Sequence, residues 1–329
     1  MKVILVAGGA GFIGSNFIKY FLKRNKNFII ASIDKQAYPS DMGRLTELEN
    51  SPRYHHIKGD VCNQDLIEYV LRKYRPSWII NFCSEPGQSK DGKRFRFSSD
   101  SSYAAVHSLL EGARYIWARS SLTDKRFLQI SSDAVYGLSD KSNEFFDEES
   151  RLSPSDPYSA LKAGADLMVE AYCKAFNMPS VILRSCNIYG PWQSTQCLIP
   201  SMIRNILADK ELELSLAGPV REWLHVSDMC SAITRALFFA RPGDIYNIGS
   251  GESVPEADLA ALLLKIAGKP AERLSVTGRN RQHEEACRLN SYRAKCNLKW
   301  SNSYHLEEGL ADTLHWYESH NTLLTHAAT

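Results

Sequence analysis

The chain has 329 residues, 44% of them apolar and 23% charged, a composition that can bury a large core and excludes an intrinsically disordered protein. Its formal net charge of +2, with no block of like charges, leaves no electrostatic footprint for nucleic acid or for an anionic membrane surface. The eight cysteines, at positions 62, 83, 173, 186, 197, 230, 287 and 296, contain no C-x-x-C pair and no zinc-ligand spacing, so they read as reduced thiols and no metal is expected.

The opening apolar run Val3-Ile4-Leu5-Val6 is too short for the core of a signal sequence, and no stretch reaches membrane-spanning length. A cytoplasmic protein is therefore expected. Apolar runs at residues 2–6, 28–34, 55–58, 78–82, 127–131 and 181–184 alternate with segments of helical period, which is the pattern of βαβ units. Phe17, Ile18, Phe21 and Leu22 mark one face of the first helix, and residues 25–27 close it. The right-handed crossover rule stacks such units into an α/β fold with a Rossmann-type, doubly wound parallel sheet. After residue 185 the rhythm loosens around Pro191, Pro200, Pro219 and Pro242, with helical runs at 198–207 and 257–267. The expectation is a dinucleotide-binding domain over residues 1–185, to which later segments return, a mainly substrate-binding lobe over 186–329, and a cleft between them.

The segment Gly8-Gly9-Ala10-Gly11-Phe12-Ile13-Gly14 follows a strand and opens a helix, where a glycine turn lets the backbone approach a pyrophosphate. Asp34 ends the second strand, where a carboxylate accepts hydrogen bonds from ribose hydroxyls and repels a ribose phosphate. This favours NAD over NADP, with the cation of Lys35 acting against the inference. Asp60 and Val61, after the third strand, are candidate adenine-side contacts, and a helix N-cap is the alternative for Asp60. Gly8, Gly11, Phe12, Ile13, Gly14, Asp34, Lys35, Asp60 and Val61 thus form the expected cofactor set, joined by Tyr158 and Lys162.

Tyr158-Ser159-Ala160-Leu161-Lys162 has helical pattern, so its phenol and ammonium fall four residues apart on one face. A free phenol, with a pKa of about 10, is a poor base unless a nearby cation favours the phenolate. Lys162 can supply that charge and bind a nicotinamide ribose, leaving Tyr158 to take a proton from a sugar hydroxyl as hydride leaves the attached carbon. Upstream, Ser131-Ser132-Asp133-Ala134-Val135-Tyr136-Gly137 ends a strand, where α/β sheets place ligand-facing residues.

Taken with Arg184-Ser185-Cys186-Asn187-Ile188-Tyr189-Gly190-Pro191, Leu198-Ile199-Pro200, Arg221-Glu222-Trp223 and Tyr246-Asn247-Ile248-Gly249, these motifs resemble the extended short-chain dehydrogenase/reductases. Within them the chain is most similar to the dTDP-glucose 4,6-dehydratases. The resemblance covers nearly the whole chain and implies a nucleotide-diphosphate sugar as substrate and NAD as cofactor. It also implies a homodimer, with contacts in the region of Tyr103, Val106, Leu109 and Leu110. In the implied reaction carbon 4 of the sugar is oxidised, the new ketone acidifies carbon 5, water leaves across carbons 5 and 6, and the hydride returns to carbon 6.

The implied catalytic residues are Tyr158, Lys162, Ser132 and Asp133, with Asp133 protonating the departing hydroxyl. The family's carbon 5 base, a Glu, maps onto Ala134, which has no basic atom, so the base or the substrate is expected to be altered. The loop Glu85-Pro86-Gly87-Gln88-Ser89-Lys90 and Ser102 also depart from the family pattern. Glu85 and Cys186 are candidate replacement bases. The resemblance places Ser84, Glu85, Ser132, Asn187, Arg221 and His283, with Arg279 or Arg281, on the substrate side. A surface salt bridge is the alternative for Arg221, whose fork otherwise suits phosphate oxygens. Two other functions compete with dehydration: a nucleotide-sugar 4-epimerase or other carbon 4 redox enzyme, which needs no carbon 5 base, and a non-catalytic binding protein.

Overall fold

The apolar runs become strands and the periodic segments helices. The computed structural model describes residues 1–35, 43–83, 99–118, 120–137, 145–215, 220–277 and 287–320. The chain begins β1 (Lys2–Ala7), α1 (Phe12–Arg24), β2 (Phe28–Asp34), β3 (Tyr54–Lys58), α2 (Gln64–Tyr74), β4 (Trp78–Asn81), α3 (Ser99–Trp117) and β5 (Arg126–Ser132). It continues with β6 (Phe145–Phe146), α4 (Pro157–Phe176), β7 (Ser180–Ser185), β8 (Asn187–Tyr189), α5 (Leu198–Leu207), β9 (Leu212–Ser215), β10 (Val220–His225) and α6 (Val226–Phe239). It closes with β11 (Ile245–Ile248), β12 (Ser253–Pro255), α7 (Glu256–Ile266), β13 (Leu274–Thr277), β14 (Arg288–Leu289) and α8 (Leu306–Ser319).

Seven strands form one sheet in the order β11-β7-β5-β4-β1-β2-β3, with every pairing parallel. The period-two alternation of β1 sends Ile4 and Val6 into one core cluster and Leu5 and Ala7 into another. Both faces are therefore covered, as a parallel sheet requires. On one face lie α1 and α6, through Phe17, Phe21, Ile233 and Ala236. On the other lie α2, α3 and α4, through Ile67, Leu71, Leu109 and Val169. A third cluster, built from Ile199, Ile203, Leu259, Leu263, Leu310 and Leu314, joins α5, α7 and α8 in the C-terminal part. Among the described residues no helix is long and apolar enough to cross a membrane.

The six expected strands are present, with ends shifted by about a residue. The seventh, β11, carries Tyr246-Asn247-Ile248. It was legible as a motif but not as part of the sheet, because its partner β7 lies sixty-odd residues earlier and sequence spacing does not report such a return. On α3 the expected contact face divides: Val106, Leu109 and Leu110 are buried in the core, while Tyr103 is exposed. At α2 the Asn63 side chain accepts the Leu66 N–H at 3.0 Å, capping the helix. Asn63→Ala is expected to lower stability by about 1 kcal/mol, as measured by urea unfolding.

The sheet positions the site through its strand order. From β1 the chain steps outward to β2 and β3, then returns to place β4 on the other side of β1. The crevice this reversal opens at the carboxyl ends of β1 and β4 is where open α/β sheets bind ligands.

Candidate active site

The turn after β1 is closed tightly onto the end of β4. Gly8 has φ +77°, and a Cβ there would stand 3.0 Å from the Cys83 amide nitrogen. A Cβ on Gly14 would come within 2.5 Å of the Gly8 carbonyl oxygen, so α1 can pack on the turn only without a side chain at that position. Gly11 is the N-cap of α1 and no side chain caps this end, so the helix presents its first amides and positive dipole end to a ligand. Phe12 and Ile13 pack against the core. Asp34 ends β2 and accepts the Ala10 N–H through Oδ2 at 3.0 Å, which ties the ribose-side carboxylate to the glycine turn. A glycine cradle that a Cβ would fill, uncapped helix amides and a strand-end carboxylate fit a dinucleotide.

Lys35 makes a 3.1 Å ion pair with Asp60. Burial pushes the Asp60 carboxyl upward, but the Cys62 N–H at 2.9 Å and the Lys35 ammonium outweigh it and hold the group below the usual carboxylate range. Asn63, not Asp60, is the cap of α2. The side chain of Val61 is buried in the core, so only its backbone can face a ligand.

The catalytic candidates meet where β5 ends and α4 begins. Asp156 caps α4 by accepting the Ser159 N–H at 3.0 Å, with Pro157 in the first turn, so Tyr158 and Lys162 stand on the opening turns of a well-started helix. Lys162 is 7% exposed. Its ammonium lies 5.9 Å from the centre of the Tyr158 ring and donates to the Ile130 carbonyl of β5 at 3.4 Å.

After β5 the chain makes a 3₁₀ turn over Asp133–Tyr136, capped by Ser132, whose Oγ accepts the Ala134 N–H. The same hydroxyl donates to Asp133 Oδ1 at 2.9 Å. Asp133 is buried, and its carboxyl is pushed up to about 7. Burial is the main cause and the Glu222 charge adds to it, against the Ser132 hydrogen bond, the Ala134 amide and Arg221. A carboxyl held near neutrality can both give and take a proton.

Behind this turn runs a buried polar network that the sequence did not mark as part of the site. Arg184 binds Asp166 at 2.9 Å and donates to the Tyr136 hydroxyl at 3.1 Å. That hydroxyl donates to Asn247 Oδ1 at 2.8 Å, and the Asn247 N–H donates to Glu148 at 2.8 Å. The network locks the carboxyl end of β5 to β7 and β11. Tyr136, Arg184 and Asn247 lay inside motifs already noted; Asp166, one turn after Lys162 on α4, carried no separate signal.

On the substrate side, Asn187 opens β8 and donates to the Glu222 carbonyl at 3.3 Å. Arg221, partly exposed on β10, pairs with Glu256 at 3.4 Å, and its charge reaches Asp133. Glu222 is buried, and its carboxylate accepts the Gly251 and Leu289 N–H groups at 2.7 and 3.0 Å. It pins β10 to its neighbours and is committed to backbone amides. Cys186 is a poor candidate base, because burial pushes its thiol well above the ordinary range and it packs in the apolar core. Cys287 donates its thiol hydrogen to the Asp133 carbonyl at 3.5 Å. Ser84, Glu85, Arg279, Arg281 and His283 lie outside the described residues.

The family model described as GDP-mannose 4,6 dehydratase matches residues 5–313. A dTDP-glucose 4,6-dehydratase from Haemophilus influenzae is 33% identical over 332 residues, covering 96% of this chain and 98% of that protein. Among solved structures, dTDP-glucose 4,6-dehydratase from Bacillus anthracis in complex with NAD superposes with a TM-score of 0.87 at 32% identity, over 98% of each chain. UDP-glucuronic acid 4-epimerase from Bacillus cereus, in complex with UDP-glucuronic acid and NAD, superposes with a TM-score of 0.84 at 25% identity, over 96% of this chain and 99% of that one.

Proposed function

Because the chain belongs to the GDP-mannose 4,6 dehydratase family, an extended short-chain dehydrogenase/reductase family that uses NAD, we propose that it is a lyase acting on a nucleotide-diphosphate hexose. In this reading it oxidises carbon 4, eliminates water across carbons 5 and 6, and returns the hydride internally, with a base or substrate altered from the family pattern. The observation that carries the reading is Lys162, with the Tyr158 ring 5.9 Å from its ammonium, bonded to the strand that leads into Ser132 and the buried Asp133.

The residues that would hold NAD are the turn Gly8 to Gly14 with Asp34 and Lys162, and when bound it supplies the acceptor and later the donor of hydride. Tyr158 takes the proton of the carbon 4 hydroxyl, and Ser132 positions that oxygen while holding Asp133. Asp133 in its protonated form gives its proton to the departing carbon 6 hydroxyl. Asn187, Arg221 and the segment containing Arg279, Arg281 and His283 bind the nucleotide and its phosphates, and Ser84 and Glu85 are the further substrate-binding candidates. The proton acceptor at carbon 5 lies elsewhere than position 134. Of the two replacement bases, Glu85 is retained, because the thiol of Cys186 stays protonated.

The test is to incubate the protein with dTDP-, UDP- and GDP-hexoses in deuterium oxide and follow products by mass and NMR. Loss of water with deuterium at carbon 5 supports the proposal. Unchanged mass with inversion at carbon 4 supports an epimerase, the reading favoured by Ala134 and by the likeness to the UDP-glucuronic acid 4-epimerase. No turnover on any sugar overturns both. Ala134→Glu is expected to raise the rate of deuterium exchange at carbon 5 by about a hundredfold, and an unchanged isotope pattern would assign the step to another residue. The proposal includes a cytoplasmic location and a homodimer, the latter supported by the exposed apolar residues Tyr103, Leu167 and Phe176 on α3 and α4.

A further inference from the structure

One side chain joins the cofactor turn to the segment that follows Asn187. Arg44 is 3% exposed. Its Nη1 donates to the Ala10 carbonyl at 3.1 Å, and its Nε and Nη2 donate to the Trp192 carbonyl at 3.2 and 2.9 Å. Ala10 is the residue whose N–H is held by Asp34, so the guanidinium grips the carbonyl of the very residue that contacts the ribose-side carboxylate. On the other side, Trp192 has φ +70°. That conformation is costly for a side chain other than glycine and persists only where the surroundings over-determine it.

Those surroundings come from both parts of the molecule. From α1, Asn16 donates to the Pro191 carbonyl at 3.0 Å and the Lys19 ammonium lies 4.6 Å from the Trp192 ring centre. From α8, the Trp316 ring packs at 4.9 Å and in turn stacks on His320 at 4.3 Å. Gln193 closes the loop onto β8 by donating to the Ile188 carbonyl at 2.9 Å. A continuous chain of contacts therefore runs from the ribose-side carboxylate through Ala10, Arg44 and Trp192 to the end of α8, and Gln193 joins it to β8, the strand of Asn187.

We propose that Arg44 and Trp192 are positioning residues: they transmit occupancy of the dinucleotide turn to the 190–193 loop and α8, so that bound NAD fixes the strand bearing Asn187 before the sugar arrives. The fork of a guanidinium suits this task, because it engages two carbonyls in fixed relative positions, which an ammonium cannot do. Neither residue touches the reacting atoms.

The inference rests on NAD binding and not on the identity of the sugar, so it is tested with NAD alone, by hydrogen exchange of the full-length protein. In the wild type, NAD is expected to slow amide exchange about fivefold or more, both at the glycine turn and at residues 190–197 and 315–320. In Arg44→Gln the slowing is expected to remain at the glycine turn and to vanish from the other two segments. Trp192→Leu keeps the carbonyl that Arg44 holds but removes the ring against Trp316, so the loop is expected to keep its response while the end of α8 loses it. This second variant carries the test should Arg44→Gln not bind NAD. A wild-type protein whose response stops at the glycine turn, or variants whose response is the same as wild type at all segments, would overturn the proposal.

Discussion

Tyr158→Phe is expected to reduce turnover by about a hundred- to ten-thousandfold while leaving NAD bound and the fold intact. The ring stays, so the packing of α4 against β5 is retained, and the helix start depends on Asp156 and Pro157, neither of which the change touches. What is removed is the oxygen that accepts the proton of the carbon 4 hydroxyl. Without it the hydroxyl must lose its proton to water in the same event in which hydride leaves carbon 4, and both oxidation and the later steps stop at the first barrier. Product formation under saturating substrate reads the loss in kcat, and protein-bound NAD measured after desalting reads the retained site. Full activity in the variant would remove Tyr158 from the chemistry and with it the basis for reading the β5–α4 junction as the active centre.

The cofactor end was legible because backbone geometry there depends on residue type at fixed spacing. Gly8 and Gly14 are needed where a Cβ cannot fit, and Asp34 is placed by the length of one helix and one strand. Tyr158 and Lys162 were legible for the same reason: a four-residue separation on a helix fixes their relation without any tertiary information. Groups that meet only through the fold were not legible. Asp166 reaches Arg184 from another element, and Asn247 reaches Tyr136 across a hundred-odd residues. Arg44 acts through backbone carbonyls, and a carbonyl has no sequence signature. Burial bears on what the sequence left open. It pushes the Cys186 thiol well above its ordinary range, which argues against a base there, and it raises the Asp133 carboxyl to about 7, which suits the acid role proposed for it.

Asp133→Asn is expected to do two opposite things, and their pH dependence separates them. The folded protein holds the Asp133 carboxyl at about 7, well above the unfolded value of about 4, so between these two values the native state binds a proton that the unfolded chain has released. Stability from this group is therefore lost as pH rises from about 4 to about 7 and stays at the lower level above that. An amide is never charged and keeps the acceptor oxygen for the Ser132 hydroxyl. The variant is accordingly expected to be more stable than wild type by about 2–4 kcal/mol at pH 8, with the difference vanishing near pH 4, as urea unfolding at several pH values measures. Over the same range its turnover is expected to fall by about a hundred- to ten-thousandfold, because the proton for the departing carbon 6 hydroxyl is gone, and the wild-type decline in kcat as pH rises through about 7 disappears. A variant that loses activity without gaining stability at alkaline pH would mean that the wild-type carboxyl is already ionised in the fold. The group would then have to be a charge stabiliser and not an acid, and the elimination would need another proton donor.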